Sequence, residues 1–597
     1  MIKDIFTYSL RPTPLKRVLF FLILDVFLSL FTLYFAYELR FNFQVPHSFY
    51  SSFFLIFSLL ILLKIAFIYS YKLYFTIWRF FALTEAKRLF YAHLFSYLAF
   101  TLIYLLFSEV FAPFARSIII IDFLLSLFAL SFLRISKRLI IENSIDNSLK
   151  PALIIGVGSN TSTLIKSAFS GEFDYYLNTI IALPHQKDSV NTYIQNIKIH
   201  AFESLTEIIE NSNFQTAIIT VSDLETNDIK ELFETLKSLG IKEIKTMKLL
   251  GSEHEKLSDL SIEDLLARHP KDLDTKAIAS FIKGKRVLIT GAGGSIGSEI
   301  SRQCHAFGAK NLILVDHSEY NLYAIGQQLP NALLKLLNIT HYKKLETVFN
   351  EESIDVVIHA AAYKHVPLCE ANMNVAIENN ILGSKNVIDL AIASNVSKMV
   401  IISTDKAVRP TNVMGCTKRI SELYAQNIDS QNTEIVSVRF GNVLGSSGSV
   451  IPKFKEQIEN GGPVTVTHPE MTRFFMLIPE ACQLVLQAAS IARGGELFVL
   501  DMGESVKIVD LANKMIQLYN KEDEIKVIFT GLRPGEKLYE ELLIDENEKK
   551  TIFESIFIAP PSHYDIKTLK EDIKNLISSP TPLEELKRIV PEFNHNP

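Results

Sequence analysis

The sequence predicts an α/β protein that begins with a membrane-spanning helical region and continues with two doubly wound parallel-sheet domains. Three observations predict this class. Four apolar stretches fall in the first 140 residues, strand-like and helix-like runs alternate from residue 150 onward, and two of the strand-like runs end in glycine-containing turns. Because 597 residues exceed what one core can hold, we expect three regions, over residues 1–140, 150–270 and 271–597.

Charge and cysteine content narrow the function classes. The net charge is −5 and the sequence contains no arginine-rich cluster, so we expect no binding of nucleic acid. The four cysteines show neither CxxC nor zinc-ligand spacing. They are therefore predicted to be isolated reduced thiols of a cytoplasmic compartment, without a disulfide framework or a metal site.

The N-terminal region contains four candidate membrane spans, near Val18–Tyr37, Phe53–Tyr69, Ala92–Val110 and Ile118–Leu133. Most of them approach the roughly 20 residues that a helix needs to cross the hydrocarbon core, and the fourth is marginally short. No small-residue cleavage site follows the first span, and three more spans do, so we expect a retained anchor and not a signal peptide.

The charges that flank these spans predict the orientation. One side carries Arg11, Lys16, Arg17, Lys72, Arg79, Lys87, Arg88, Arg134, Lys137 and Arg138, whereas the loops of the other side carry only Arg40 and Arg116. Both ends of the segment and everything after residue 140 are therefore predicted to face the cytoplasm.

Three ionisable residues lie within the predicted spans: Asp25, Lys64 and Asp122. Such residues are costly in a membrane and need partners. One interpretation is a contact with a lipid head group or a substrate. We prefer one or two buried ion pairs that hold the helices together, because no pattern of broken, transporter-like helices accompanies these residues.

The second region has a weak nucleotide-fold pattern. The strand-like run "ALIIGVGSN" leads into Gly156 and Gly158, but Thr161 stands where a complete fingerprint would have its third glycine. Nucleotide binding stays open, and a packing or regulatory role is preferred.

The third region contains a strong dinucleotide-binding pattern. "KRVLITGAGGSIGSE" is a strand, a turn with Gly291, Gly294 and Gly297, and the start of a helix, and Ser295 and Ile296 complete the turn. These glycines permit close approach of a pyrophosphate to the helix N-terminus, as in Rossmann-like folds. Asp316 ends the next strand, where a carboxylate holds the adenosine ribose and repels a 2′-phosphate, which favours NAD over NADP. The polar neighbours His317 and Ser318 weaken that preference.

Further cofactor contacts are expected along the next strands. Ala360, Ala361 and Ala362 end the third strand with side chains small enough for the backbone to lie against a cofactor, and Asn338 and Ile339 are also assigned to the cofactor site. We interpret His359 as a core histidine with satisfied hydrogen bonds. Asn380 is predicted to bond backbone near the cofactor.

The candidate catalytic residues lie in "VIISTDKAVRPTNVMGCTKR". Short-chain dehydrogenases place a Ser or Thr at this strand end and a YxxxK pair on the next helix, where the Lys lowers the pKa of the Tyr. Here the strand end is Thr404 and the helical Lys is Lys418, but position 414 is Met. Since a thioether cannot transfer a proton, either catalysis is lost or the acid and base come from elsewhere. Asp405 and Lys406 directly follow Thr404 and are candidates for both.

Six motifs together resemble those of the membrane-bound bacterial nucleotide-sugar 4,6-dehydratases, which belong to the extended short-chain dehydrogenase superfamily. They are GAGGSIGSE, HAAAYKHVPLCE, STDKAVRPTNVMGCTKR, RFGNVLGSSGSVIPKF, MTRFFM and GLRPGEKLYEELL. The resemblance is strongest to the enzymes that act on UDP-N-acetylglucosamine in bacillosamine synthesis for protein glycosylation. It covers essentially the whole chain and implies an extended short-chain dehydrogenase fold for the third region.

The resemblance implies a mechanism and a substrate. NAD takes a hydride from C4 of the sugar, Lys406 is the base at C5, Asp405 is the acid for the C6 hydroxyl, and the hydride returns at C6. Thr404 bonds the C4 oxygen, and Lys418 binds the nicotinamide ribose. The acceptor of the C4 hydroxyl proton stays open between Asp405 and a water, and so does the configuration at C5. Substrate contacts are carried over to Lys364, Asn442, Val450, Ile451, Pro452, Lys453, Phe454, Arg473 and Arg533.

The resemblance thus implies a dehydratase of the bacterial inner membrane that contacts membrane lipid and forms a homo-oligomer. Two other function classes remain as alternatives. A UDP-sugar 4-epimerase or dehydrogenase shares the fold, but Met414 and the Thr404-Asp405-Lys406 run count against it. A non-catalytic membrane scaffold that binds nucleotide sugar is the third.

Overall fold

The computed structural model describes residues 14–595 apart from 76–80, 82, 144–148, 170–172, 222–223, 225, 251–253, 267–272 and 543–548. The chain divides into two compact units. The first comprises residues 1–152, 161–179 and 193–198, and the second comprises residues 153–160, 180–192 and 199–597.

Four long apolar helices lead the chain, and each is long and apolar enough to cross a membrane. They are α1 (Pro14–Arg40), α2 (Phe53–Ser70), α3 (Leu83–Leu106) and α4 (Ser117–Asn143). The predicted spans are confirmed as helices, although α3 begins at Leu83 instead of Ala92 and ends at Leu106 instead of Val110. Glu85, Lys87 and Arg88 are strong helix formers and extend α3 beyond its apolar stretch. Lys87 and Arg88 thus lie in the first turns of α3 and not in a loop.

Two buried ion pairs hold the helices of this segment together. Lys64 Nζ lies 3.4 Å from Asp122 Oδ2, and the Arg134 guanidinium donates to both oxygens of Asp25 at 3.0 and 2.7 Å. This confirms the ion-pair interpretation. Arg134 was expected to flank the membrane, but it lies inside α4 at 3% exposure and is the partner of Asp25. Pairing offsets much of the cost of burying both charges.

The predicted orientation stays a prediction. The side chains of six charges that support it lie outside the described residues: Arg11, Lys16, Arg17, Arg79, Lys137 and Arg138. Lys72 follows the end of α2, and Arg40 ends α1.

A seven-stranded sheet follows the helical segment, in the order β3-β4-β2-β1-β5-β6-β7. Its strands are β1 (Lys150–Ile155), β2 (Tyr175–Ile181), β3 (Tyr193–Ile194), β4 (Ile197–His200), β5 (Thr216–Ile219), β6 (Glu243–Leu250) and β7 (His254–Asp259). The helices of this region are α5 (Ser159–Phe169), α6 (Leu205–Glu210), α7 (Thr226–Ser238) and α8 (Ile262–Leu266). The strand predicted in "ALIIGVGSN" is confirmed as β1. The antiparallel β6–β7 pair at the sheet edge was not predicted, because its many charged residues obscure the apolar alternation.

The third region forms a nine-stranded sheet in the order β10-β9-β8-β11-β12-β13-β17-β21-β20. Its strands and those of two small sheets are β8 (Arg286–Thr290), β9 (Asn311–Asp316), β10 (Leu333–Leu336), β11 (Val356–His359), β12 (Lys398–Ile402), β13 (Glu434–Arg439), β14 (Asn442–Leu444), β15 (Val464–Val466), β16 (Thr472–Leu477), β17 (Leu497–Leu500), β18 (Ser505–Lys507), β19 (Val527–Phe529), β20 (Lys549–Lys550) and β21 (Ile556–Ala559). The seven strands from β10 to β17 are parallel. The order in which the chain adds strands to the sheet reverses between β8 and β11. In such sheets ligands bind at the carboxyl ends of the strands beside that point.

The helices of the third region are α9 (Thr275–Ile282), α10 (Ser295–Ala306), α11 (Glu319–Gln328), α12 (Tyr342–Glu351), α13 (Val366–Ala371), α14 (Met373–Ile377), α15 (Gly383–Ala393), α16 (Val413–Asn427), α17 (Val450–Glu459), α18 (Ile478–Ile491), α19 (Ile508–Leu518), α20 (Ile566–Ser578) and α21 (Pro582–Ile589). The predicted doubly wound architecture is confirmed.

One hydrophobic core joins the first nucleotide-fold region to a part of the third region that we call the C-terminal lobe. This lobe consists of the small sheets β14-β16-β18 and β15-β19 with α17 and α19. The shared core contains Leu153 and Ile219 from the seven-stranded sheet together with Phe454 and Leu511 from the lobe. Phe454, a predicted substrate contact, thus belongs to the same core as residues of the first nucleotide fold.

Candidate active site

The turn between β8 and α10 has room only for glycine at its critical positions. Gly291 has φ +67°, and a Cβ there would lie 2.7 Å from the backbone of Ala361. A Cβ on Gly297 would lie 2.1 Å from the carbonyl oxygen of Gly291. The turn therefore stays open and presents the N-terminus of α10, the arrangement that binds a pyrophosphate.

Asp316, at the end of β9, closes one side of this turn. Its carboxylate is buried and accepts hydrogen bonds from the backbone of Gly293 at 2.9 Å and of Ser318 at 2.8 Å. His317 is exposed, with Nδ1 3.6 Å from Asp316 Oδ1. Ser318 caps α11 by accepting from the backbone of Asn321. A fixed negative charge thus lies beside the turn.

His359 and Asn380 occupy the places predicted for them. The His359 ring is fully buried, and its nitrogens bond Thr290 Oγ1 at 2.7 Å and Ser384 Oγ at 2.8 Å. Burial lowers the pKa of His359 to about 3, so the ring is neutral at physiological pH. The Asn380 amide bonds the backbone N–H and carbonyl of Tyr363. Both residues support the strand ends.

A cavity of about 850 Å³ opens at the carboxyl ends of the central strands. The predicted residues that line it are Gly291, Gly294, Ser295, Ile296, Gly297, Ala360, Ala362, Lys364, Thr404, Lys406, Met414, Lys418, Asn442, Val450, Lys453, Phe454, Arg473 and Arg533. The fold thus brings the residues predicted for cofactor, chemistry and substrate to one cavity.

The other predicted site residues lie outside the lining, as far as the described residues show: Asp316, His317, Ser318, Asn338, Ile339, Ala361, Asp405, Ile451 and Pro452. Ile339 and Ile451 belong to hydrophobic cores. The Asn338 side chain accepts from the backbone of Thr340.

The residues after β12 form a compact charged cluster. Thr404 Oγ1 donates to Asp405 Oδ1 at 2.8 Å, and Lys406 Nζ donates to the same oxygen at 3.0 Å. Lys406 also donates to Asn442 Oδ1 at 3.1 Å. Asp405 is 1% exposed and lies behind Thr404 and Lys406, which face the cavity.

Glu540 is a fourth member of this cluster that the sequence did not identify. Its Oε1 lies 3.4 Å from Lys406 Nζ and 3.7 Å from Arg473 Nε. Burial disfavours the charge of Lys406, but Asp405 and Glu540 outweigh that effect, so the pKa of Lys406 is raised above its ordinary value. Lys406 is therefore a cation before substrate binds. Only the GLRPGEKLYEELL motif as a whole pointed to this segment.

Met414 and Lys418 lie one turn apart on α16, both buried and both lining the cavity. Burial lowers the pKa of Lys418 to about 8, against a smaller opposing effect of Glu422. Met414 occupies the place where a YxxxK pattern has its tyrosine, so no hydroxyl group projects there.

Four further predicted side chains differ in their freedom to bind substrate. Arg473 is buried, and its guanidinium donates to the carbonyls of residues 472, 537 and 538. Arg533 is exposed at the rim and bonds Glu536 at 3.2 Å, and Lys453 is also exposed. Lys364 Nζ donates to Ser446 Oγ at 3.4 Å. Arg473 therefore braces the 537–540 segment, while the other three cations face the cavity.

A buried charged network lies behind the strand end. Glu422 accepts from Ser403 Oγ at 2.6 Å, from Arg439 Nε and Nη2 at 2.7 and 2.5 Å, and from Arg419 Nη1 at 3.4 Å. Burial would raise the pKa of Glu422, but Arg439 and Arg419 outweigh burial and lower it. The network anchors Ser403, the residue before Thr404.

The glycine turn of the first nucleotide fold is filled by a side chain of the protein. The Gln186 amide accepts from the backbone N–H of Val157 at 2.9 Å and donates to the Val157 carbonyl at 2.9 Å. A Cβ on Gly156 would lie 2.2 Å from Val221. These contacts support the packing interpretation of this region over nucleotide binding.

Comparison with known proteins gives consistent matches. A family model described as "Polysaccharide biosynthesis protein" matches residues 287–561. The chain is 39% identical over 591 residues to capsular polysaccharide biosynthesis protein CapD of Staphylococcus aureus. The aligned residues cover 94% of this chain and 97% of that protein. It is 44% identical over 426 residues to the probable polysaccharide biosynthesis protein EpsC of Bacillus subtilis, covering 68% and 70%. A UDP-glucose 4-epimerase of Rickettsia canadensis is 36% identical over 280 residues, covering 45% and 80%.

Proposed function

This chain belongs to the polysaccharide biosynthesis protein family, a group similar to nucleotide-sugar dehydratases and epimerases, and we propose that it is an NAD-dependent UDP-N-acetylglucosamine 4,6-dehydratase. One observation carries the proposal. Thr404 and Lys406 face the same cavity as the glycine turn, while the position of the usual tyrosine is Met414. The proton chemistry is thereby assigned to the strand end and not to the helix.

The residues present fit NAD. The turn at Gly291 and Gly297 is a cradle that any Cβ would fill, and the Asp316 carboxylate beside it opposes a 2′-phosphate. When bound there, NAD accepts a hydride from C4 of the sugar and returns it at C6. Lys418 lines the same cavity, and we assign it to the nicotinamide ribose by analogy with the YxxxK lysine of short-chain dehydrogenases.

The cluster after β12 supplies an acid and a base by one internal proton transfer. Substrate entry excludes water from the cavity, which favours a neutral pair over a charged one. Transfer of the Lys406 proton to Asp405 over 3.0 Å leaves Lys406 as the amine that takes the C5 proton. It leaves Asp405 as the acid for the departing C6 hydroxyl, while Thr404 bonds the C4 oxygen.

The cations at the cavity rim suit a nucleoside diphosphate. Arg533 offers a guanidinium that matches phosphate oxygens in pairs, and Lys453 and Lys364 add charge near the same opening. Asn442, Val450 and Phe454 line the same cavity, and we assign them to the UDP group.

A mass measurement tests the proposal. Full-length protein in detergent is incubated with UDP-N-acetylglucosamine in heavy water. We expect a product lighter by one water that carries solvent deuterium at C5, and a loss of rate of about 10²–10⁴ in Lys406→Met. Unchanged substrate in the wild type would contradict the proposal and point to a scaffold.

A UDP-sugar 4-epimerase is the second candidate, and the 36% identity to a protein named UDP-glucose 4-epimerase favours it. An epimerase product has the same mass as the substrate, so the same experiment separates the two. Met414 and the charged Asp405-Lys406 pair support the dehydratase.

The four apolar helices support a multi-pass protein of the bacterial inner membrane with the enzyme region in the cytoplasm. In cells, a reporter fused at residue 597 is expected to show cytoplasmic activity only. Contact with membrane lipid and assembly as a homo-oligomer are part of the same proposal.

A further inference from the structure

The dehydratase reaction needs an acceptor for one more proton, and no residue has yet been assigned to that role. When a hydride leaves C4, the proton of the C4 hydroxyl must also leave, and in YxxxK enzymes the tyrosine takes it. Met414 cannot accept a proton. His359 cannot do so either, because both of its ring nitrogens are engaged with Thr290 and Ser384.

Two carboxylates line the cavity within the described part of the chain, Glu536 and Glu540. Glu536 lies at the rim, and its two oxygens accept from the backbone N–H and the guanidinium of Arg533 at 3.2 Å each. Glu540 lies deeper, with a side chain 3% exposed. Among the described residues, Glu540 Oε2 is buried and has no hydrogen-bond partner.

An unsatisfied buried carboxylate oxygen beside a cavity is costly unless a ligand completes it. Glu540 is also held in place. Its Oε1 lies between Lys406 Nζ and Arg473 Nε, and Arg473 is fixed by the backbone carbonyls of residues 537 and 538. The Glu540 carboxylate is thus held at a defined position beside Lys406, in the lining of the cavity.

We propose that Glu540 is the catalytic base that receives the proton of the C4 hydroxyl. This inference rests on the proposed dehydratase function. The C4 O–H bond breaks and its proton binds the Glu540 carboxylate, as the C4–H bond breaks and its electron pair leaves with the hydride to NAD.

The remaining protons balance. The Lys406 proton passes to Asp405 and leaves with the C6 hydroxyl as water. The C5 proton moves to Lys406 and a proton returns from it to C5 after the hydride reaches C6. Glu540 then gives its proton to Lys406, 3.4 Å away, which restores two carboxylates and one ammonium.

The test is Glu540→Gln in the full-length protein with bound NAD and UDP-N-acetylglucosamine. We expect kcat to fall by about 10²–10⁴, and the absorbance of reduced cofactor at the start of the reaction to be lost. Asp405→Asn is expected to behave differently. It reduces the cofactor at close to the wild-type rate but releases no water, because it blocks only the later step.

Two further variants separate chemistry from folding. Glu541→Gln changes the neighbouring carboxylate, which pairs with Arg409 outside the cavity, and is expected to keep wild-type kcat. Glu540→Ala leaves space for a small carboxylate, so added formate is expected to restore activity in proportion to its concentration.

The outcomes are distinguishable. If the wild type releases no water from the substrate, the dehydratase function itself fails. If the wild type is active and Glu540→Gln still reduces the cofactor at the wild-type rate, only the assignment of Glu540 is wrong. Failure of formate to raise the activity of a folded Glu540→Ala variant would likewise overturn it, and would leave a water as the acceptor.

Discussion

Removal of Arg439 is expected to destabilise the enzyme region through the carboxylate that it leaves behind. Glu422 is fully buried. The Arg439 guanidinium donates two hydrogen bonds to its carboxylate, at 2.7 and 2.5 Å, and both are shorter than the bond from Arg419. In Arg439→Met a side chain of similar length fills the space, but two donors disappear. Ser403 and the more distant Arg419 remain.

The magnitude follows from these contacts. Loss of one partner of a buried ion pair costs about 3–5 kcal/mol. Because Arg419 keeps a second cation 3.4 Å from Glu422, we expect the lower end, about 3 kcal/mol. In a unit of this size, each kcal/mol lost from the free energy of unfolding lowers the midpoint temperature by about 2 °C. The unfolding midpoint is therefore expected to fall by about 6 °C.

The effect also has a pH signature. In the wild type the pKa of Glu422 is lowered, so its stabilising contribution is present above the ordinary carboxyl pKa and is lost as pH falls. Without Arg439, burial raises that pKa, and the folded variant gains stability by taking up a proton as pH falls. The deficit of Arg439→Met is therefore expected to shrink between pH 7 and pH 5.

Circular dichroism of full-length protein in detergent measures the midpoints. The double variant Arg439→Met/Glu422→Gln is expected to recover most of the loss, since the unpaired charge is gone. Lys507→Met, which breaks an exposed pair with Glu470, is the control and should cost no more than about 1 kcal/mol. If the double variant were no more stable than Arg439→Met, the buried charge would not be the cause.

Three other changes have defined outcomes. Gly297→Ala places a Cβ against the backbone of the turn. Calorimetry should then show NAD binding at least tenfold weaker, which corresponds to about 1.4 kcal/mol. The control Gly158→Ala, where a Cβ meets open space, should leave NAD affinity unchanged. NAD affinity should fall as pH rises through about 8, because Lys418 loses its proton there. Lys418→Arg should remove that fall, since arginine keeps its charge. If the pH profile of NAD affinity were the same in the wild type and in Lys418→Arg, the charge of Lys418 would have no role in binding. Asp25→Leu leaves Arg134 unpaired between the apolar helices and should lower stability in detergent by about 3 kcal/mol, while replacing both residues with Leu restores it.

Local sequence patterns predicted two structural features of the cavity lining, the glycine turn and the strand end after β12. The turn at Gly291–Gly297 and the strand end at Thr404–Lys406 are each contained in a short run of sequence, and their geometry is set by neighbours in the chain. The roles assigned to those residues stay predictions until tested.

Non-local contacts were beyond the reach of sequence patterns. Glu540 and Lys406 meet because a loop far along the chain returns to the strand end, and no spacing rule connects them. The same holds for Arg134 and Asp25, which lie at opposite ends of the helical segment. Ile339 was assigned to the cofactor site, and Ile451 was assigned to the substrate site by resemblance, but both side chains belong to hydrophobic cores.

The core shared by the first nucleotide fold and the C-terminal lobe has a consequence for cooperativity. Leu153 and Phe454 belong to one cluster of buried apolar residues, so we expect the opening of either element to expose part of their shared core to water. Local unfolding of the lobe, which lines part of the cavity, is therefore expected to be coupled to unfolding of the first nucleotide fold, a domain with no assigned chemistry. That domain stabilises the closed wall by raising the free energy of every opened state, and it does so without contacting the reacting atoms.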